Sequence, residues 1–373
     1  MPTRTSTVSP PSHLVVIDSA TGAIDYQRYY SLPRYSADEV AKKVGRNLAE
    51  IGQNYRRILY EEVEKRLPPA GTPIGVALGG IDSLQVLKVL VDLRPDDIVV
   101  YNIEGEDTPR NRNVAQAFNF QLKEVSVPRD QLLKDDHQLL DDILDRIEDF
   151  DPIGTYAGAS CSLIFGRMRE DDISVVATGS GGNAWSGMYI RDRWFQISEE
   201  NLLEVSVRRR LIMGYPPDSG LYRPHQQLGG GWSRELGSHD MKLGADFGIS
   251  KLIEPHLSRP VMEFGVNIPA HYCKFTRDEI QATYSGLIRQ KLLEDLDYFY
   301  QNPNGQYIIA RFPIVYAAFK EDIPDELFIT GGARLYDSIG MAALIDSLGG
   351  EEFLLSKFNA KFGAEEVARP SAT

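Results

Sequence analysis

Between residues 74 and 179 the chain alternates short β-branched runs with helix-like segments, and this limits the fold more than any other feature. The strand-like runs are IGVAL at 74–78, DIVVYNI at 97–103, KEVSVP at 123–128 and ISVVATG at 173–179. Helix-like stretches separate them: 82–93, 110–119, an acidic amphipathic segment at 130–150, and 158–170. Strands joined by crossover helices predict an α/β fold with a doubly wound parallel sheet. Such sheets bind their ligands at the carboxyl ends of the strands.

The flanks read differently. Residues 1–12 are rich in Ser, Thr and Pro and have the composition of a disordered segment; 13–34 hold short β-like stretches around Thr21-Gly22. At SADEV, Ser36 is a helix cap with Asp38 and Glu39 in the first turn. The helix is expected to run to about Arg66, where LPPAGTP stops it. After about residue 195 the pattern is mostly helical, with breaks at GYPPDSG and LGGGW. The expected division is a lead-in with a long helix (1–68), an α/β core (69–195), a mostly helical C-terminal region (196–363) and a flexible tail (364–373).

Charge and composition exclude some functions. The net charge of −13 has the wrong sign for a general nucleic-acid surface, so no nucleic-acid partner is expected. The local cluster Arg208-Arg209-Arg210 reads as a solvated helix end. The two cysteines, Cys161 and Cys273, form no CxxC pair, so a zinc ribbon or iron–sulfur cluster lacks ligands. Two free thiols in a reducing compartment are expected, with one disulfide left open. The N-terminus lacks the apolar stretch of a signal peptide, and no run reaches the roughly 18 apolar residues of a membrane span. The chain is expected to be cytoplasmic and to have no membrane partner.

The first strand exits into Gly79-Gly80-Ile81-Asp82-Ser83. Glycines let the backbone turn and approach a ligand closely. A helix starting near Asp82 directs unsatisfied N–H groups at the same spot, which suits a phosphate, and Ser83 adds a hydroxyl. Asp82 is a poor phosphate neighbour unless a cation bridges them, which predicts Mg²⁺. The spacing fits neither a Walker A loop nor GxGxxG. A plain strand-to-helix turn with Asp82 capping the helix is the alternative. A second strand ends in another glycine-dense loop, with Gly179, Ser180, Gly181 and Gly182 followed by Asn183, Trp185, Gly187 and Tyr189. Two such loops on one sheet can face a common ligand.

The pair resembles the synthetase domain of asparagine synthetase and β-lactam synthetase, of the PP-loop ATP pyrophosphatase superfamily. The motif S-G-G-x-D-S is matched by residues 78–83, and T-G-x-G-x-D-E-L-F-G-G-Y by 178–189. EPHLSRPVMEFGVNIPAHYCK at 254–274 is similar to the family's R-x-P-F-L-D…L-V-E-F-A…L-P segment, and YQRYYSLPRYSADEV to its lead-in. The order is kept over roughly 26–275. The resemblance implies binding of Mg-ATP, activation of a carboxylate as an acyl-adenylate with release of pyrophosphate, and attack by an amine to give an amide and AMP. By position it implies ATP contacts at Leu78, Gly79, Gly80, Asp82, Ser83, Ile103 and Gly179. It implies a substrate wall at Ser180, Gly181, Gly182 and Tyr189, and metal ligation by Asp82 and Asn183. Lys291 is the candidate for the family's late catalytic lysine, against a plain reading as a surface helix residue.

The chain departs from the pattern at three places. Leu78 replaces the first serine, Asn183-Ala184 stand where the family has Asp-Glu, and Ser180 sits where many members are acidic. Fewer anionic ligands weaken metal binding. Glu104, Glu106 and Asp107 are nearby carboxylates that read as a solvated acidic loop. Pro2 occupies the position of the glutaminase half's cysteine, so no in-cis glutaminase is expected. The nucleophile is then a free amine, delivered ammonia or an amine on the substrate. Three functions follow: an amide- or lactam-forming ligase with small-molecule carboxylate and amine substrates; a catalytically altered nucleotide- or partner-binding subunit; and a tRNA thiolation chemistry, which the charge and the missing CxxC pairs disfavour. A second copy of the chain or a partner protein stays open as a companion.

Overall fold

The structure, a computed structural model, describes residues 13–19, 21–29, 33, 35–105, 107–126, 141–142, 152–182, 244–269, 272, 277–301, 312–329, 348 and 356. The chain opens with an antiparallel hairpin, β1 (His13–Ile17) and β2 (Ile24–Arg28), around the Thr21-Gly22 turn. Two helices follow, α1 (Ala37–Lys43) and α2 (Leu48–Glu64). Ser36 caps α1 as expected: its Oγ accepts from the Glu39 amide at 3.3 Å, and the Glu39 carboxylate accepts from the Ser36 amide at 3.0 Å.

The single helix expected over 36–66 is two. Gly45 has φ +138°, a conformation L side chains rarely adopt, and a Cβ there would sit 2.8 Å from the Ile51 nitrogen. Asn47 then restarts the helix by accepting from the Glu50 amide at 3.0 Å.

The remaining elements are β3 (Ile74–Ala77), α3 (Ile81–Leu93), β4 (Ile98–Ile103), α4 (Thr108–Phe118), β5 (Leu122–Val125), α5 (Pro152–Glu170), β6 (Val175–Ala177) and β7 (Lys251–Ile253). Then come α6 (Arg259–Val266), α7 (Arg277–Thr283), α8 (Gly286–Gln301), α9 (Phe312–Phe319) and α10 (Asp325–Phe328). The five strands β3 to β7 form one parallel sheet in the order β5-β4-β3-β6-β7. All four strands read from sequence are present. The fifth, β7, lies inside the region read as helical: its three residues are too few to show a period-2 pattern, and pairing with β6 makes it a strand. The helix expected at 130–150 lies outside the described residues apart from 141–142, where a helical turn is seen. The helix expected at 110–119 begins earlier, at Thr108, and closes on Asn119 in the left-handed conformation (φ 56°).

Side chains alternate across the sheet. Ile74, Val76, Val100, Val175, Ala177 and Ile253 face one continuous core with Ile51, Tyr55 and Leu59 of α2 and Phe312, Val315 and Phe319 of α9. On the other face α5 covers the strands, and a Cβ on Gly75 would touch Ile173 and Met168. Both faces are buried, as parallel strands require. Each fully buried Ile or Leu here stabilises the fold by about 1.5–3 kcal/mol. Chain direction reverses at β3: β4 and β5 build outward on one side, and β6 and β7 on the other. In open α/β sheets this switch point is the place of a ligand crevice.

Candidate functional site

Both glycine loops sit at the switch point, because β3 and β6 are hydrogen-bonded neighbours running in the same direction. The first loop leaves β3 at Leu78, whose amide still donates to the Tyr101 carbonyl at 2.8 Å and whose side chain is buried in the core. Gly80 is the N-cap of α3 and offers no side chain to the helix amides. Ser83 takes part of that role: its Oγ accepts from the Gly79 amide at 2.8 Å and donates to the Gly80 carbonyl at 3.1 Å. The hydroxyl expected to meet a phosphate thus ties the loop together here.

The second loop is pressed onto the first. A Cβ on Gly179 would overlap the Ser83 nitrogen and lie 2.7 Å from the Asp82 carbonyl carbon. A Cβ on Gly182 would overlap the Asp82 carboxylate. The turn is closed by Gly182 N–H donating to the Gly179 carbonyl at 3.1 Å, and Gly181 (φ +81°) lies against Leu257. The Ser180 amide donates to the Thr178 hydroxyl at 3.2 Å. The two loops, expected to face a common ligand, also touch each other directly, and Asp82 lies at the junction.

The comparisons bear on this geometry. Residues 54–236 match the family model described as asparagine synthase. The matched stretch includes both glycine loops and the strands β3 to β6. No curated protein sequence matches the chain. Solved structures that match include the U34-tRNA thiolase NcsA from Methanococcus maripaludis with its 4Fe-4S cluster, at 15% identity, covering 74% of this chain and 82% of that one, with a TM-score of 0.29. At that score the likeness carries no functional argument.

Beside the first loop lies a polar layer that sequence reading missed. Asn102 donates to the Thr108 hydroxyl at 3.0 Å and accepts from Asn111 Nδ2 at 2.6 Å. The Gly105 amide donates to the same Thr108 hydroxyl at 2.9 Å. Arg110 donates through Nη1 to the Gly79 carbonyl and to Asn111 Oδ1, both at 2.8 Å, and through Nε to the Leu327 carbonyl at 2.8 Å. Burial pushes the Arg110 guanidinium down to about 10, with Asp107 opposing that shift. The signal available in the sequence was RNRNVAQAFN, which fits an ordinary exposed helix start; only the tertiary fold buries it.

A second buried group, from the segment between β7 and α6 and from Tyr55 of α2, supports the loop. His256 is fully buried, with Nε2 3.3 Å from the Asp82 carbonyl and Nδ1 3.4 Å from the Tyr55 hydroxyl. Tyr55 donates to Gln85 Oε1 at 2.5 Å, and Gln85 Nε2 donates to the Ile81 carbonyl at 3.1 Å. These polar contacts hold the first turn of α3 in place from beneath.

Of the other expected site residues, Ile103 ends β4, half-buried and paired with Val125. Lys291 is half-buried on α8, which packs against α10, the helix that supplies the Leu327 carbonyl to Arg110. Asn183, Trp185, Gly187 and Tyr189, the triple arginine at 208–210, Glu106 and Cys273 lie outside the described residues. Cys161 is half-buried on α5. Among the described residues no group of three or more His, Cys, Asp or Glu side chains forms a metal site, and no helix is long and apolar enough to cross a membrane. Mg²⁺ keeps waters and phosphate oxygens as ligands and needs only one or two protein carboxylates, so Asp82 at the loop junction fits that ion.

Proposed function

We propose that the protein is an ATP-dependent ligase that forms an amide or lactam bond through an acyl-adenylate, with release of pyrophosphate and AMP and with an amine as nucleophile. The family match supports ATP-dependent, amide-forming or adenylating chemistry. The observation that carries the reading is the junction of the two glycine loops on Asp82 at the switch point of the sheet.

In this reading the amides of the first turn of α3 receive the phosphates. Asp82 would hold Mg²⁺, which supplies charge neutralisation over the phosphate oxygens. Ile103, at the end of the neighbouring strand, lies near the adenine, and the loop at 179–182 with Tyr189 walls the acyl group. A carboxylate oxygen attacks the α-phosphorus and pyrophosphate leaves. The amine then attacks the acyl carbon and AMP leaves with the bond electrons, while the amine proton passes to a base. Both steps have good leaving groups, so orientation and fixed dipoles lower much of the barrier. The stacked contacts of Gly179 on Ser83 and of Gly182 on Asp82 provide that orientation.

The test is release of AMP from ATP over a panel of carboxylates and amines. Asp82→Ala is expected to reduce AMP formation to background, with the unfolding midpoint nearly unchanged. Full activity in Asp82→Ala would remove the metal role from this loop. The altered positions Asn183 and Ala184 favour a second reading, a nucleotide-binding or partner-binding subunit without turnover. ATP-induced thermal stabilisation with no AMP from any pair of substrates would favour it; a ligand at about 100 times its dissociation constant stabilises by about 2.7 kcal/mol.

A further inference from the structure

Arg110 is a buried cation that no carboxylate contacts among the described residues; the Asp107 charge at the start of α4 acts on it only through space. Arg110 is 8% exposed, and its Nη2 nitrogen is buried with no hydrogen-bond partner. Among the described residues it forms no ion pair. Its three contacts are to neutral oxygens, those of Gly79, Leu327 and Asn111. A buried guanidinium without an anion is costly, because desolvation weakens the charged form and the remaining N–H groups lose water.

Its position makes this worse. Arg110 is the third residue of α4, where the helix dipole already places positive charge. The group it holds, Gly79, precedes the N-terminus of α3, a second positive helix end. The guanidinium and the N-terminus of α3 therefore meet at the same loop, where Asp82 supplies a carboxylate in the first helical turn. A guanidinium with a spare nitrogen is suited to donate a charge-assisted hydrogen bond to an oxyanion.

The planar fork also fixes where that anion goes. Nε is anchored on Leu327 and Nη1 on Gly79, so Nη2 faces the seam between the 79–83 loop and α10. We infer that Arg110 is a phosphate-binding residue of this site, donating from Nη2 to an oxygen of the pyrophosphate portion of the nucleotide. The inference rests on the reading of 79–83 as a phosphate loop. It adds a residue that lies outside both glycine motifs, from the helix after β4. Its contact with the Gly79 carbonyl also couples phosphate binding to loop shape.

Calorimetric titration of the full chain with pyrophosphate, adenosine and acetate tests this. Arg110→Gln and Arg110→Lys are compared with the parent after circular dichroism shows them folded. Parent protein is expected to bind pyrophosphate, Arg110→Gln to bind it at least tenfold more weakly, and adenosine affinity to stay the same in both. Lysine, a point charge that cannot reach all three oxygens, is expected to fall between. Pyrophosphate binding in Arg110→Gln equal to the parent overturns the inference, as does arginine-dependent binding of acetate without pyrophosphate. Adenosine binding without pyrophosphate binding in the parent overturns it while leaving the nucleotide site standing; loss of both removes the site as well. If neither variant folds, crystals of the parent soaked in pyrophosphate decide: a phosphate oxygen within hydrogen-bond distance of Nη2 supports the inference, and pyrophosphate elsewhere or absent overturns it.

Discussion

The two glycine loops look alike in sequence and differ in why they contain glycine. In the loop after β6, Gly179 and Gly182 are fixed by packing, because any side chain would enter the backbone of Ser83 or the Asp82 carboxylate. In the loop after β3, a Cβ on Gly79 would meet only Ser83 Oγ, at 3.9 Å, an ordinary contact. The fold itself therefore does not demand glycine at 79. Glycine there leaves the backbone open to close approach, as the proposed phosphate-binding loop would require. One loop is a structural wall, and the other is a surface kept bare.

That contrast can be broken by substitution. Gly179→Ala is expected to have the largest effect, a loss of about 3 kcal/mol or failure to fold, since overpacking against backbone cannot be relieved by a side-chain rotation. Chemical denaturation measures it. Stability equal to the parent would show that the loops separate readily and that the wall is not rigid. Gly79→Ala is expected to do the opposite. Its stability should stay level or rise by up to about 0.5 kcal/mol, because the unfolded chain loses freedom. Its nucleotide affinity should fall about tenfold, roughly 1.4 kcal/mol. Unchanged affinity would mean that the bare surface has no ligand.

A side-chain cluster outside both loops provides the smallest effect and a control. Asp171 accepts from Lys123 Nζ at 2.8 Å and from the Tyr101 hydroxyl at 2.7 Å. The Lys123 ammonium first, and the Tyr101 hydroxyl after it, hold its carboxyl below the ordinary value of 3.8. A lowered carboxylate pKa gives stability that is present above the unfolded value and is lost as pH falls through the folded one. Asp171→Asn should therefore cost about 1 kcal/mol at neutral pH, with the difference from the parent shrinking as pH falls below the ordinary carboxylate value, and should leave nucleotide affinity alone. An effect on affinity would show that this cluster and the loops are coupled.

Much of the fold was legible in the chain. The β-branched runs and their spacing predicted four parallel strands, and the glycines marked the turns after the first and fourth of them. The Ser36 cap was readable from its spacing to Glu39, because capping is a local interaction. The break at Gly45 was not, since a glycine within a helical pattern shows no sign of its φ. Strand β7 was invisible because three residues have no pattern of their own.

For the site, the sequence by itself determined the loops that carry Gly79, Gly80, Asp82 and Ser83, and Gly179 to Gly182, since turn chemistry and helix starts are local. It also placed them at strand ends, which a parallel sheet sets side by side. Only the tertiary structure decided that Gly182 lies against the Asp82 carboxylate, that Ser83 closes its own loop, and that His256 braces α3 from 174 residues away. It alone turned Arg110 from a surface residue into a buried cation under Gly79. Desolvation depends on what packs around a group, and the group that covers Arg110, the α10 carbonyl of Leu327, is 217 residues distant in the chain.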